Sequence, residues 1–310
     1  MIILKNPHWI KEKSVRWIAL WRVYARFKQI VLTCRSAEIR AGHIRMKSLL
    51  PSAKTGRSNL LLSNGKIDIM KETIKAINLT TGYRQRGQER RVGENINASL
   101  YSGELTALLG RNGAGKSTLM RTLAGFQPPL EGRVEVEGRS ITDIKGRDLA
   151  RTIGVVLTEK PALENMDAEA LVGLGRMPYT GFWGALGEED KAAVDRAIRL
   201  VGIEDLRKRE VQGLSDGERQ KVMIAKALAQ DTPVIFLDEP TAFLDYPSKV
   251  ELMELLRELA RSEDKTIFVS THDLEIALRL SDRFWELDKK NGLTVRTDRD
   301  AIWEEWNRMG

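Results

Sequence analysis

The sequence predicts an α/β fold in which helices are layered on a mostly parallel sheet. One observation is a strand, a glycine-rich loop and a helix in direct succession, over residues 105–109, 110–117 and 118–123. Another is the continuous apolar run 234–237, which is typical of a parallel strand covered on both faces. Strands alternate with helical segments around the glycine-rich loop, and this alternation favours a layered α/β architecture.

The glycine-rich loop also predicts a phosphate-binding site. Its sequence, GRNGAGKS, fits the pattern G-x-x-x-x-G-K-[ST], and the helix that follows adds the partial positive charge of its N-terminus. We expect Lys116 to reach the β- and γ-phosphates of a nucleoside triphosphate and the Ser117 hydroxyl to hold Mg²⁺. The sequence therefore predicts a P-loop NTPase core of the RecA-like type. The residues expected to contact the nucleotide in this loop are Gly110, Arg111, Asn112, Gly113, Ala114, Gly115, Lys116, Ser117 and Thr118.

Two further regions flank this core. Residues 70–140 are rich in strand patterns punctuated by hairpin-like glycines, which predicts an antiparallel β subdomain. Residues from about 163 to 230 have helical periodicity, which predicts an inserted α-helical subdomain. The predicted helices are 168–174, 188–201, 217–229 and 249–260, and further strands are predicted at 153–157 and 266–270.

The positive charge of the chain is concentrated in its first 69 residues. These hold 14 Lys and Arg against 3 Asp and Glu, whereas residues 70–310 hold 36 against 40. The segment is open to three interpretations: a basic amphipathic helix on a membrane surface, a signal sequence, or sequence upstream of a true start at Met70. Charged residues interrupt every stretch that could form the apolar core of a signal sequence, and a regular strand pattern begins at Met70. We therefore favour the start at Met70 and expect residues 1–69 to be poorly ordered if they are made.

Two absences in the sequence limit the possible classes of protein. The single cysteine, Cys34, lies in the basic segment, so the chain holds no disulfide framework of its own. No apolar run approaches the ~18 residues needed to cross a bilayer.

Two carboxylates follow the apolar run 234–237. Asp238 and Glu239 come at the end of a predicted parallel strand, where side chains point into the ligand-binding crevice of such sheets. We expect Asp238 to hold Mg²⁺ and Glu239 to orient or deprotonate the water that attacks the γ-phosphorus. Upstream, Ser215 lies at the N-terminus of a predicted helix, and Gly217 in its first turn allows a ligand to approach closely. This helix N-terminus is therefore a second expected anion-binding site.

The segment LSDGERQ, residues 214–220, resembles the signature of the ATP-binding subunits of ABC transporters, which is usually written L-S-G-G-Q. The resemblance covers residues 70 to about 290, so 70–310 is expected to be one ABC nucleotide-binding domain. By this resemblance Tyr83 stacks on the adenine of ATP, Asp245 communicates across a dimer, and His272 contacts the γ-phosphate and the attacking water. His272 is also the only histidine in residues 70–310.

The resemblance implies an assembly as well as an activity. Two copies would stack head to tail, with Lys116, Asp238, Glu239 and His272 of one copy opposite the signature segment of the other. ATP with Mg²⁺ would close the pair and hydrolysis would open it, driving transmembrane permease subunits at the cytoplasmic face of the membrane. A substrate-binding protein would take part indirectly.

The sequence departs from the family pattern at two places. Thr158 and Glu159 stand where the family usually has a glutamine that touches Mg²⁺, and Glu159 could supply an oxygen ligand instead. The signature carries Asp216 and Glu218, which places two carboxylates beside the expected phosphate site. We expect these charges to weaken binding of the γ-phosphate unless Arg219, Lys221 or Arg111 compensates.

Residues 171–179 and 124–129 resemble importer ATPases for iron-siderophore, haem and vitamin B12. The alternatives within the superfamily are an exporter ATPase and a non-transport ABC ATPase. A nucleic-acid-binding protein that uses the basic N-terminus is a more distant alternative. The acidic balance of residues 70–310 argues against it, so no nucleic-acid partner is expected.

Overall fold

Two β-sheets, one antiparallel and one mostly parallel, organise the part of the chain that the structure describes. The structure is a computed structural model, and the described residues all belong to the unit that spans residues 50–310. The described ranges are 58–63, 66–85, 88–157, 165–181, 183–288 and 292–309.

The antiparallel sheet has the order β1-β2-β5-β6, with β3 paired to β2. It confirms the predicted antiparallel β subdomain. The boundary predicted at 69/70 falls inside β2, which begins before Met70; residues 1–57 lie outside the described residues, and the start at Met70 stays a prediction. The strands of this sheet are β1 Ser58–Ser63, β2 Lys66–Gln85, β3 Gln88–Tyr101, β5 Glu131–Val136 and β6 Arg139–Ser140.

The second sheet has the order β7-β8-β9-β4-β10-β11, and all its neighbours are parallel except β10 and β11. Because the carboxyl ends of β4, β8 and β9 lie at one edge, the loops that follow these three adjacent strands meet there. The strands are β4 Leu105–Leu109, β7 Ile153–Val156, β8 Val234–Asp238, β9 Thr266–Thr271, β10 Arg283–Asp288 and β11 Gly292–Arg296.

Helices connect and cover the strands. Three of them, α3, α4 and α5, pack on one another in the region predicted to be the helical subdomain. None of the helices in the described ranges combines the length and apolar character that crossing a bilayer requires. The helices are α1 Lys116–Leu123, α2 Gly146–Ala150, α3 Ala168–Gly173, α4 Glu188–Val201, α5 Asp216–Ala229, α6 Tyr246–Ser262, α7 Leu274–Leu280 and α8 Arg299–Met309.

The parallel sheet is buried on both faces. Along β8, Ile235 and Leu237 belong to a core shared with α3–α6, whereas Val234 and Phe236 belong to a core shared with the antiparallel sheet. Phe236 and Phe268 meet edge to face, with ring centroids 5.4 Å apart. The apolar run 234–237 is thus a covered parallel strand, as its composition predicts.

Candidate nucleotide-binding site

The phosphate loop lies between β4 and α1. Gly115 is the N-cap of α1 and has φ +108, and Lys116 begins the helix. The Lys116 side chain is only 6% exposed, and its Nζ donates a hydrogen bond to the Gly110 carbonyl at 2.9 Å. The same Nζ lies 3.5 Å from Glu239 Oε1. These two contacts hold the lysine side chain against the phosphate loop.

The glycines of the loop are required by close neighbours. A Cβ at Gly115 would lie 2.4 Å from Val92 Cγ1, and a Cβ at Gly110 would lie 2.7 Å from the Leu287 carbonyl oxygen. Contacts below 3.0 Å are essentially never seen for a real Cβ. Strands β3 and β10 therefore pack against the loop so closely that a side chain at either position would force its neighbours to move.

The two carboxylates at the end of β8, Asp238 and Glu239, are fixed by Ser270 on the neighbouring strand β9. Ser270 Oγ donates to Asp238 Oδ1 at 2.6 Å and accepts a hydrogen bond from the Glu239 N–H at 2.9 Å. Glu239 has φ +48, in the left-handed region that non-glycine residues seldom adopt. Residues in such conformations cluster at active sites, where the surrounding structure holds them in place.

Glu239 lies between a lysine and a histidine. Its Oε1 faces Lys116 and its Oε2 lies 3.7 Å from His272 Nδ1. The His272 side chain is half-exposed, so a ligand can reach it. The structure thus brings together four residues that the sequence predicts for one site: Lys116, Asp238, Glu239 and His272.

A cavity of about 410 Å³ opens beside this group. The Tyr83 hydroxyl lies 2.9 Å from Thr118 Oγ1, which holds the predicted adenine-stacking ring against the first turn of α1. Sequence reasoning missed Arg90 and Val92 of β3, although the pairing of Tyr83 with Arg90 across a hairpin could have pointed to them. The cavity is lined by Tyr83, Arg90, Val92, Asn112, Gly113, Gly115, Lys116, Ser117, Thr118 and Glu239.

The residues expected to hold Mg²⁺ fit that role. Ser117 and Asp238 line one narrow crevice beside α1, and Ser117 also lines the larger cavity. Within the described ranges no three His, Cys, Asp or Glu side chains converge on a metal-sized site. A nucleotide-bound Mg²⁺ usually takes one or two protein ligands and completes its shell with phosphates and water. The predicted ligand Glu159 lies outside the described residues.

The signature segment caps α5. Ser215 Oγ accepts from the Glu218 N–H at 3.3 Å, and Glu218 Oε2 accepts from the Ser215 N–H at 2.8 Å, which is a capping box. The hydrogen bond from Ser215 and the nearby Arg209 lower the pKa of the Glu218 carboxyl. Gly217 lies in the first turn, where a Cβ would meet Leu244 at an ordinary 3.8 Å.

The cation that faces Glu218 is not one of the three that sequence reasoning suggested. Arg209 Nη1 lies 2.7 Å from Glu218 Oε1, whereas Lys221 pairs with Glu251 and Arg219 donates to backbone carbonyls. The reason is geometric, because Arg209 precedes the helix and lies beside its N-terminus. For Glu218 the compensating cation is therefore Arg209, and not Arg219, Lys221 or Arg111 as expected.

Some of the described residues predicted for the site do not line the cavity. They are Gly110, Arg111, Ala114, Ser215, Gly217, Asp238, Asp245 and His272. Asp245 caps α6 by accepting from the Ser248 N–H at 3.1 Å, and this hydrogen bonding lowers its pKa. The contacts expected of Ser215, Gly217 and Asp245 are with a second copy of the chain, and these contacts stay a prediction.

A P-loop between β4 and α1, a carboxylate pair after β8 and a covered parallel sheet define a P-loop ATPase. The sequence profile of the ABC transporter family matches residues 93–242. An uncharacterised ABC transporter ATP-binding protein of Methanocaldococcus jannaschii is 45% identical over 210 residues, covering 68% of this chain and 71% of the relative. The ferric enterobactin transport ATP-binding protein of Escherichia coli is 37% identical over 201 residues, covering 65% and 73%.

Solved structures agree with this assignment. A dimeric bacterial ABC transporter cassette is 27% identical, with a TM-score of 0.63, and covers 72% of this chain and 98% of that one. The chain therefore belongs to the ATP-binding proteins of ABC transporters, and it is an ATPase.

Proposed function

We propose that this chain is the ATP-hydrolysing subunit that energises import of a metal chelate, of the iron-siderophore, haem or cobalamin type, through a membrane permease. The support for the cargo class comes from sequence: residues 171–179 and 124–129 resemble importers of this group, and the Escherichia coli relative bears the name of ferric enterobactin.

Within the site, each residue would take one part of phosphoryl transfer. The amides of the phosphate loop and Lys116 would bind the phosphates, and Ser117 with Asp238 would hold Mg²⁺. When bound, Mg²⁺ neutralises charge that develops on the phosphate oxygens. Glu239 would orient the attacking water and accept its proton, and His272 would contact the γ-phosphate end of the site.

The position of Glu239 is the main support for this assignment. Its two oxygens face Lys116 and His272, its backbone N–H is held by Ser270, and it lines the cavity beside the loop. A carboxylate fixed between a phosphate-binding lysine and a histidine is suited to hold a water in line with the γ-phosphorus.

A second copy would complete the site. Ser215 and Gly217 at the start of α5 would face the triphosphate bound by the partner, and Asp245 would lie at the contact between copies. The capped N-terminus of α5 supports this proposal, because helix N-termini bind anions. The assembly would lie on the cytoplasmic face of the membrane through its permease, with a substrate-binding protein delivering the chelate.

Purification of the chain with its membrane partner tests the proposal. The complex in proteoliposomes should take up a ferric chelate, haem or cobalamin only with Mg-ATP, and the protein expected to co-purify is a permease. Glu239→Gln should retain Mg-ATP binding while ATP turnover and uptake fall together by roughly 10²-fold or more. Gly146→Ala is the control, because a Cβ there meets nothing within 4 Å. Uptake by Glu239→Gln at the control rate would contradict the mechanism, and outward transport would contradict the import assignment.

A further inference from the structure

Arg90 of β3 lines the cavity, and none of the predicted roles applies to it. Arg90 pairs directly with Tyr83 across the hairpin of β2 and β3. Cross-strand partners share a face of the sheet, and both side chains line the same cavity. Arg90 therefore belongs to the wall on which the predicted adenine-stacking residue lies.

The neighbouring arginines differ from Arg90 in their pairing. Arg84 Nε donates to Glu89 at 2.9 Å, and Arg91 Nη2 lies 2.5 Å from Glu131 Oε1. Arg90 is exposed, and its side chain makes no hydrogen bond or ion pair with any residue that the structure describes. The hairpin thus holds two arginines paired with carboxylates of the antiparallel sheet and one arginine whose guanidinium remains available to a ligand.

The charges that line the cavity favour an anionic ligand near Arg90. Lys116 Nζ and Glu239 Oε1 are 3.5 Å apart, and Arg90 is the third charged residue in the lining. A guanidinium binds phosphate through parallel N–H donors and stays charged at any physiological pH. The Arg90 side chain has no partner among the described residues and lines a cavity beside the phosphate loop, so it is suited to bind phosphate.

The reach of the side chain is sufficient. From β2, the Tyr83 side chain extends to the first turn of α1, where its hydroxyl lies 2.9 Å from Thr118 Oγ1. Arginine is at least as long as tyrosine, and Arg90 starts from the position directly opposite Tyr83. Its guanidinium can therefore reach the N-terminal turn of α1, where backbone N–H groups without helical partners attract phosphate.

We propose that Arg90 binds the phosphates of ATP beside the N-terminal turn of α1 and so supplies a second cation, separate from Lys116, for nucleotide affinity. The proposal rests on ATP binding at this cavity, which is part of the proposed function. It adds a charged residue to the antiparallel-sheet wall of the site, which already supplies Tyr83 and Val92.

Binding measurements on the purified full chain test this role. Arg90→Ala should raise the Kd for ATP and for ADP about tenfold, because a charge-assisted hydrogen bond to phosphate would be lost. Competition by adenosine, which carries no phosphate, should change less than about twofold. The slope of log Kd for ATP against log salt concentration should become shallower, and Arg90→Lys should recover part of the affinity.

Arg84→Ala is the matched control. It removes the same charge from the same hairpin, next to Tyr83, but from a residue that does not line the cavity and is paired with Glu89. Circular dichroism spectra and thermal midpoints show whether the variants fold alike.

The measured Kd values decide whether Arg90 binds the phosphates of ATP. A Kd for ATP that is equal in Arg90→Ala and Arg84→Ala overturns the proposal. An equal loss for adenosine and ATP also overturns it, because the contact would then be to the base. Failure of the unsubstituted chain to bind Mg-ATP overturns the proposed function and removes the basis for Arg90 with it.

Discussion

Substitution of Gly115 by alanine tests whether β3 constrains the phosphate loop. Two costs combine at this position. The residue has φ +108, and an L-residue in a left-handed or similarly strained conformation costs about 1–3 kcal/mol. The new Cβ would also lie 2.4 Å from Val92 Cγ1, so the valine must retreat by roughly half an ångström, at an overpacking cost of about 1–3 kcal/mol. We expect Gly115→Ala to lower the free energy of unfolding by about 3 kcal/mol.

The chain offers a control that separates the two costs. Gly138 has φ +79, but a Cβ there would meet nothing within 4 Å, so Gly138→Ala should show the backbone cost alone, about 1–2 kcal/mol. Urea denaturation of both variants gives the difference, which we assign to the contact with Val92. In the Val92→Ala background, the penalty of Gly115→Ala should shrink by about 1 kcal/mol or more. Equal destabilisation by the two glycine substitutions, with no recovery in the double variant, would refute the contact as the cause.

Three further predictions concern the site and the core. Ser270→Ala removes the hydroxyl that bonds the Glu239 N–H, so kcat should fall more than KM rises in steady-state ATPase assays, whereas equal changes would indicate lost binding instead. The lowered pKa of Glu218 means that its stabilisation is present above the unfolded pKa of the group and is lost as the pH falls through its folded pKa. Glu218→Gln should therefore unfold with a flatter pH dependence in acid, and superimposable acid titrations would argue against the cap. Phe268→Ala, in the fully buried aromatic stack, should cost about 3–5 kcal/mol in urea denaturation, and a loss under ~1 kcal/mol would mean that the core relaxes around it.

Several elements were predictable because their signals are local. Helix α4 has the predicted bounds, 188–201, because acidic residues begin it and Gly202, at φ +69, ends it. Ser215 was expected to begin a helix, and its side chain caps α5. The phosphate loop and Asp238–Glu239 come together because parallel adjacent strands bring their carboxyl ends to one edge of the sheet.

Other elements depend on contacts between residues far apart in the chain. The C-terminal helix α8 has a weak local pattern, and it is held by the buried Ile302 and by a hydrogen bond of 3.1 Å from Trp306 Nε1 to Glu286. Val92 and Arg90 reach the nucleotide cavity only because β3 pairs with β2 and passes beside the phosphate loop. No pattern within β3 itself indicates what its side chains meet.

The signature segment shows how a departure from a family pattern can preserve a structural role. A carboxylate at position 218 accepts the Ser215 N–H as the usual glutamine amide can, and a negative charge in the first turn of α5 is favoured by the helix dipole. The remaining charge faces Arg209, nine residues upstream, which also donates to the Gly213 carbonyl. Since one oxygen of Glu218 is occupied by the cap and the other by the guanidinium, its charge is partly neutralised before any phosphate approaches. The sequence predicts that Glu218 repels a phosphate. This repulsion is reduced because folding brings Arg209 to the Glu218 carboxylate.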